Sequence, residues 1–412
     1  MNRRNFLISA AAAGTAQSRA ASDRIRVAVI GMGGRGGDLM HEAVKLPGVE
    51  VAAISDPDES RMAQGAADLA GKTGRQPKQE ADFRRILEDK TIDAVMIATC
   101  NHWHAVAAIW ACRAGKHVYV EKPVSHNIRE GQILVEAARK YDRIVQGGTQ
   151  RRSQGYIRKA VELIHQGLIG DIYLSHWKMI GPRESIGFKE PETPPAGFNW
   201  DLWLGPAPEQ PFHRNLVHYN WHWFWDFGNG EMGNNGIHIV DIARWAMNKE
   251  LPVRVSSAGG RFGYKDQAQT PNTQTATWIF ADGSHMVGEV RNLYTREDTG
   301  WQFFGTKGYM EMDIRGGYKV WLGRNKQPEP DMGKLEEINH YANFFDAIRA
   351  GDRKLLRAEI NETHLSTAFC HLANIAYRLG RELKFDPVAL QFPGDSEANG
   401  LLTREYRKPY TI

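Results

Sequence analysis

The chain has 412 residues, a length that sets two or three domains as the prior and leaves ample material for a hydrophobic core. With 42% apolar and 24% charged residues it has an ordinary globular composition, which excludes a mostly disordered, collagen-like or polytopic membrane chain. The formal net charge is +4, but Arg3, Arg4 and Arg19 sit in a segment without acids and the charges nearly balance beyond it, so the basic character is no argument for a nucleic-acid partner.

In chain order, Asn2-Arg3-Arg4-Asn5-Phe6-Leu7 precedes an Ala-rich apolar stretch from Leu7 to Ala16 and small residues around Ala20-Ala21. A charged start, a short apolar run and a small-residue exit are the order of a signal peptide, expected over residues 1–22. The adjacent arginines followed by Phe-Leu resemble a twin-arginine export signal, which predicts passage through that export machinery to the periplasm or another extracytoplasmic space. No other stretch approaches the ~18 apolar residues of a membrane span, so no stable membrane insertion is expected after cleavage.

Ile25 to Ile30 is a β-branched run, followed by Gly31-Met32-Gly33-Gly34-Arg35-Gly36 and a helical pattern through Val44. Strand, glycine turn and helix follow one another. A second apolar run, Val49 to Ser55, ends at Asp56, about 20 residues after Gly36, which is the interval to a ribose-binding acid. Further strand-like runs at Ala94–Ala98 and His117–Val120 alternate with helical stretches at Ala105–Ala114 and Asn127–Tyr141. This βαβα alternation predicts a doubly wound parallel sheet, a Rossmann domain spanning residues 23–148. Glycines at 31, 33 and 36 allow a tight turn and close approach to a pyrophosphate, with Gly34 and Arg35 in the same loop. Asp56 would accept from both ribose hydroxyls and repel a 2′-phosphate, so NAD is favoured, while Arg61 nearby keeps NADP open.

Past Gly147-Gly148 a helix from Tyr156 to Gln166 leads into an aromatic, proline-rich tract (Pro191, Pro194, Pro195, Pro206, Pro208, Pro211) that excludes regular helix or central strand. Long loops of this kind are often functional. Thr273–Phe280 and Ser284–Val290, joined by Ala281-Asp282-Gly283, read as antiparallel strands. Amphipathic helices at Ile338–Ala350 and Glu359–Leu379 complete an α+β region with a mainly antiparallel open sheet over residues 149–412, expected to bind substrate and to support oligomerisation.

The strand ending at Val120 runs into Glu121-Lys122-Pro123, at the C-terminal edge of a parallel sheet, where such folds place ligands. Together with the glycine fingerprint, Thr99-Cys100-Asn101-His102-Trp103-His104 and Gly236-Ile237-His238, it resembles the Gfo/Idh/MocA oxidoreductase family, which includes glucose–fructose oxidoreductase and inositol dehydrogenase. The resemblance covers nearly all of the chain after the signal. It implies that Lys122 sits beside the nicotinamide and bonds the reacting hydroxyl, that Glu121 orients it, and that Asn101 and His104 line the cofactor. Cys100 stands where the family has proline. A metal on His102 and His104 is disfavoured, because histidines two apart lack a helical ligand spacing and no nearby acid completes a site.

The family's Asp-x-Gly-x-His places base and orienter four residues apart on a helix; here His238 matches the histidine, but the aspartate position is Asn234. An amide can hold a hydroxyl but cannot take its proton, so proton transfer falls to His238, Lys122 or another group. Asp241 is expected to bond within the scaffold. The aromatic run Trp200, Trp203, Phe212, Tyr219, Trp221, Trp223, Phe224 and Trp225 suits a carbohydrate pocket at some positions and core packing at most. Tyr219, Trp221, Gln150, Arg151 and Asn234 are the expected substrate contacts, with Arg183 and Tyr294 as further polar candidates.

These residues predict an exported NAD(P)-dependent oxidoreductase acting on a secondary carbinol of a sugar, polyol or glycoside, with its cofactor tightly held and the protein a homo-oligomer. The alternatives are an NAD-dependent glycosidase working by transient sugar oxidation, elimination, hydration and re-reduction, and a non-catalytic nucleotide- or sugar-binding protein. A carried cofactor would have to return to its starting redox state in every turnover.

Overall fold

The computed structural model describes residues 24–294, 298–324 and 335–412; the expected export signal lies outside them. Six strands, β1 (Ile25–Ile30), β2 (Val49–Ser55), β3 (Lys78–Glu80), β4 (Ala94–Ile97), β5 (His117–Val120) and β6 (Val145–Gly147), form a wholly parallel sheet in the order β3-β2-β1-β4-β5-β6. Helices cover both faces: α1 (Gly34–Val44), α2 (Glu59–Thr73), α3 (Arg84–Glu88), α4 (Asn101–Arg113) and α5 (Ile128–Lys140). The strand order reverses between β1 and β4, and a doubly wound sheet opens its ligand crevice there, at the carboxyl ends of the strands.

α4 starts four residues earlier than its apolar pattern suggests, because Cys100 is extended and releases the chain into helix at Asn101. α5 starts one residue late, because the Asn127 side chain caps it by accepting from the Glu130 N–H.

The second unit holds α6 (Gly155–His165), β7 (Ile172–Ile180), α7 (Trp200–Leu204), α8 (Ile237–Met247) and strands β8 (Arg254–Gly260), β9 (Thr273–Ile279), β10 (His285–Arg291), β11 (Gly300–Gly305), β12 (Gly308–Asp313) and β13 (Tyr318–Leu322). With β14 (Leu383–Lys384) they form an eight-stranded sheet, β13-β12-β11-β7-β10-β9-β8-β14, antiparallel except for the β7–β10 pair. α8 packs on β7, and α10 (Ile360–Leu379) packs on β8. The core between them is aromatic: Trp177 and Trp278 stack with ring centres 5.9 Å apart, and the Trp278 and Trp301 indoles donate to the Phe369 and Ile239 carbonyls.

Two late segments return to the nucleotide unit, which the sequence boundary at residue 148 does not convey. α9 (His340–Ala350) buries Phe344 and Phe345 in one core with Val29, Met96 and Tyr119. Residues 404–410 lie against the other face: Arg404 pairs with the fully buried Glu130 and donates to the His102 carbonyl, and Tyr410 packs edge-on against Trp103. α10 also packs along α5, so the two units share one framework around the crevice.

Candidate active site

The crevice between the units is a cleft of about 410 Å³. At one end, β1 delivers the glycine turn. Gly31 has φ +89°, and a Cβ there would lie 2.7 Å from the Ala98 carbonyl oxygen; a Cβ on Gly36 would meet the Gly31 oxygen at 1.7 Å. Side chains are excluded at both positions, so the turn can only be built from glycine. Gly33 and Gly34 differ: a Cβ on Gly34 would touch nothing, and one on Gly33 only the Arg61 guanidinium at 3.6 Å. Both line the cleft, and Gly33 enters α1 with no side chain capping the helix and no acid in its first turn. The free N–H groups of that turn and the helix dipole therefore face the cleft, a donor set that fits a pyrophosphate.

Asp56, at the end of β2, also lines the cleft. Its oxygens accept from the Met32 N–H at 2.6 Å and the Asp58 N–H at 2.9 Å. Burial pushes the carboxyl up to about 6, against the pull of those two bonds and of Arg61. The acid is thus locked to the glycine turn, and the free lone pairs of its carboxylate suit ribose hydroxyls.

At the other end, β5 delivers Glu121 and Lys122. Glu121 accepts from Arg35 Nε at 2.7 Å, and Arg35 donates onward to Tyr341 Oη at 2.8 Å, so α1, β5 and α9 are tied beneath the cleft. Burial works against the Arg35 charge, but Glu121 and the tyrosines outweigh it and hold the guanidinium ionised. Lys122 Nζ donates to the Asn234 carbonyl at 2.9 Å and to Asn234 Oδ1 at 3.3 Å. Burial lowers the lysine below its usual value, with Glu121 and Glu231 opposing. A lysine eased toward its neutral form can take and return a proton.

Asn234 sits on a π-helical turn, Met232–Gly236, that runs into α8; such turns recur at functional sites. Beneath it lies the residue that sequence reasoning passed over. Glu231 is 1% exposed and accepts from the side chains of Asn234 (3.2 Å), Asn235 and Arg183 (3.3 Å), all three of which line the cleft. With its Nδ2 bound to Glu231, Asn234 turns Oδ1 toward Lys122. A carboxylate is therefore present after all, three residues before the asparagine, and acts on the cleft through amides. The available signal was an acid set in a glycine-rich string three and four residues before two amides.

His238 does not line the cleft. Its Nδ1 is buried without a hydrogen-bond partner, and burial, reinforced by Lys122 and Arg151, holds the imidazole well below its usual value and therefore neutral. His104 does line it, braced between the Pro123 carbonyl at 2.7 Å and the Thr99 carbonyl at 2.9 Å. Asn101 lines it as well and donates to Asn229 Oδ1 at 3.1 Å. His102 is packed against Trp203 and Phe227, and among the described residues no group of three His, Cys, Asp or Glu could hold a metal ion.

The roof comes from the second unit. Leu202, Trp203, His218, Tyr219 and Trp221 line the cleft, and Arg183 lies 5.7 Å from the Tyr219 ring centre. Phe212, Trp223 and Phe224 pack into a core behind them with Trp203. Gln150 and Arg151 do not line the cleft. Their 3₁₀ turn, Gln150–Ser153, directs Arg152 instead into a buried ion pair with Asp241, with two bonds of 2.8 Å, and leaves Arg151 against Gln154. Asp241 is thus a scaffold residue. Tyr294 is 99% exposed.

Fold and site define a two-unit dinucleotide-binding protein with a half-buried lysine where the two units meet. The chain belongs to the Gfo/Idh/MocA oxidoreductase family: the family's NAD-binding Rossmann fold matches residues 25–149 and its C-terminal alpha/beta domain matches residues 175–412. It is similar to a myo-inositol 2-dehydrogenase of Thermotoga maritima, 29% identical over 293 residues, 70% of this chain and 75% of that one. A glycosyl hydrolase family 109 protein of Saccharopolyspora erythraea is 30% identical over 157 residues, 37% of this chain. The match spans only 34% of the length of that relative. Among solved structures, levoglucosan dehydrogenase with NADH and levoglucosan superposes with a TM-score of 0.67 at 18% identity, covering 88% of this chain and 99% of that one. Aldose-aldose oxidoreductase from Caulobacter crescentus, complexed with glycerol, gives 0.67 at 18% identity, with 88% and 100% covered.

Proposed function

We propose that the protein is an NAD-dependent oxidoreductase acting on a secondary carbinol of a sugar, polyol or glycoside. The observation that carries this reading is Lys122, its Nζ bonded to Asn234 at the nicotinamide end of the nucleotide cleft. When bound, the nicotinamide supplies the hydride acceptor. The turn at Gly31, Gly33, Gly34 and Gly36, with α1 behind it, holds the pyrophosphate, and Asp56 holds the ribose hydroxyls and favours NAD over NADP. Lys122 Nζ bonds the carbinol oxygen and takes its proton, Asn234 Oδ1 orients the hydroxyl, and Arg35 with Glu121 keeps the lysine in place. His238 stands behind the cleft and is held neutral, so proton transfer rests on Lys122 rather than on the histidine. Tyr219 and Trp221 offer ring faces to the C–H face of a sugar, with Arg183 at their side.

The test is a panel of inositols, aldoses, anhydrosugars and glycosides with NAD+, reading NADH formation and keto products, with Lys122→Ala as control. NADH formed by the wild type and lost in the variant supports the reading. A protein that retains nucleotide but turns over nothing would favour the non-catalytic alternative.

The family 109 relatives support a second reading, a redox-neutral glycosidase at the same site. Transient oxidation of a sugar carbon acidifies the neighbouring C–H, allows elimination of the aglycone, and is followed by addition of water and re-reduction. Aglycone release without net NADH would favour it. The Arg3-Arg4 segment supports export, tested by cell fractionation of the wild type against Arg3→Lys/Arg4→Lys. In an exported protein the cofactor would be acquired before export and kept. Light scattering tests the expected homo-oligomer.

A further inference from the structure

The nucleotide end of the cleft is crossed by chain from the substrate unit. Gly197–Asn199 is stitched to the segment just after Asp56: the Glu59 N–H donates to the Gly197 carbonyl at 2.9 Å, the Asn199 N–H donates to the Pro57 carbonyl at 2.8 Å, and Asp58 bridges Phe198. Some twenty residues on, the same loop returns with His218. Its Nδ1 accepts from Arg61 Nε at 2.9 Å, and its Nε2 lies 3.3 Å from the Asp58 carboxylate. This pattern fixes the neutral tautomer with the proton on Nε2. Phe198, itself buried, stands edge-on to the His218 ring at 6.0 Å and holds its plane. The guanidinium thus fixed lies beside Gly33, in the open part of the glycine turn where the free N–H groups gather.

We propose that His218 is a cofactor-retaining residue: it latches the roof of the substrate unit to α2 across the nucleotide and holds the Arg61 guanidinium over the glycine turn, where it adds a fixed positive charge to the pyrophosphate site. The inference rests on the dinucleotide reading of the cleft and assigns a role that no motif in the chain announces. Arg61 and the His218 latch act on the anion common to NAD and NADP. Retention is therefore separate from the discrimination that Asp56 exerts at the ribose. Release of the nucleotide requires the loop around His218 to part from α2, and the stitch at Gly197–Asn199 hinges that motion.

The experiment is a stopped-flow measurement of NADH release from full-length protein, chased with excess NAD+, for wild type, His218→Ala, His218→Gln, Arg61→Ala and the double variant. The latch predicts release about tenfold faster in His218→Ala, the order of one lost hydrogen bond to a charged group. It also predicts partial restoration in His218→Gln, whose amide oxygen can still accept from Arg61, and no further acceleration when His218→Ala is added to Arg61→Ala. Equal release rates in wild type and in both folded His218 variants would overturn the latch. If His218→Ala does not fold, His218→Gln against Arg61→Ala decides by the same criterion. A wild type that takes up neither NADH nor NADPH would instead overturn the cofactor reading, and the latch with it.

Discussion

The two ends of the cleft are built by different means. At the glycine-turn end the groups are mostly backbone, the N–H donors of the turn and a helix terminus, joined by one carboxylate locked by main-chain bonds and by the Arg61 guanidinium beside Gly33. At the Lys122 end they are side chains gathered from four places in the chain, with Lys122 after β5, Arg183 after β7, Tyr219 in the roof loop, and Asn234 over Glu231 before α8. A backbone site tolerates change wherever the chain path survives and fails when it does not. A side-chain site can be altered one group at a time, so its substrate can change while its cofactor does not.

Four substitutions and one titration sharpen this contrast. The largest effect is expected from Gly36→Ala, where the new Cβ cannot coexist with the Gly31 oxygen: the turn must open, and NADH binding, read by fluorescence titration, should be lost. Lys122→Ala should lower turnover ~10²-fold or more while NADH affinity stays within about twofold. If both fell together, the two ends would not be separable. Glu231→Gln should cost roughly 10–100-fold in kcat/KM, since a neutral amide holds Asn234, Asn235 and Arg183 less firmly than a carboxylate.

Glu231→Gln should also leave a signature in the pH profile. If Lys122 takes the carbinol proton as proposed, oxidation needs it neutral, and the rate should rise with pH through the lysine pKa. Burial lowers that pKa and Glu231 holds it up, so the variant's rise should move to lower pH. At the nucleotide end Asp56 titrates at about 6. If ribose hydroxyls bond its ionised form as proposed, NADH affinity should weaken about fivefold or more as pH falls from 7 to 5. The nucleotide-free protein shows the opposite sign in stability. Between the usual carboxylate range and pH 6 the folded state binds more protons than the unfolded one, so this group's contribution falls as pH rises. Trp221→Ala should give the smallest effect, a few-fold rise in KM with kcat kept, the loss of one ring face.

The same contrast sets what was legible beforehand. The nucleotide end rests on local periodicity, and β1, β2, the glycine turn and Asp56 stand where their spacing puts them. Lys122, Glu121 and Asn234 were reached by resemblance, and Glu231 beneath them was not. Glu231 acts through residues three and four positions on, by way of a π turn that no helical periodicity marks. Arg183 and His218 meet the site only because of how long loops fold, and such loops carry no repeating pattern. Gln150 and Arg151 show the converse: the segment holding them is close in sequence to the site, but the pull of Asp241 on Arg152 decides which way its turn faces.

The return of α9 and of residues 404–410 to the nucleotide unit bears on how the molecule is made. A chain emerging from the ribosome exposes the first six strands early, yet Phe344 and Phe345 on one side of that sheet are synthesised about 200 residues later, and Tyr410 on the other side about 260 residues later. The unit that reads as an autonomous module therefore depends on residues far downstream of its own strands. A chain cut before Phe344 would therefore leave both faces of the sheet that carries the glycine turn without packing that the intact chain supplies.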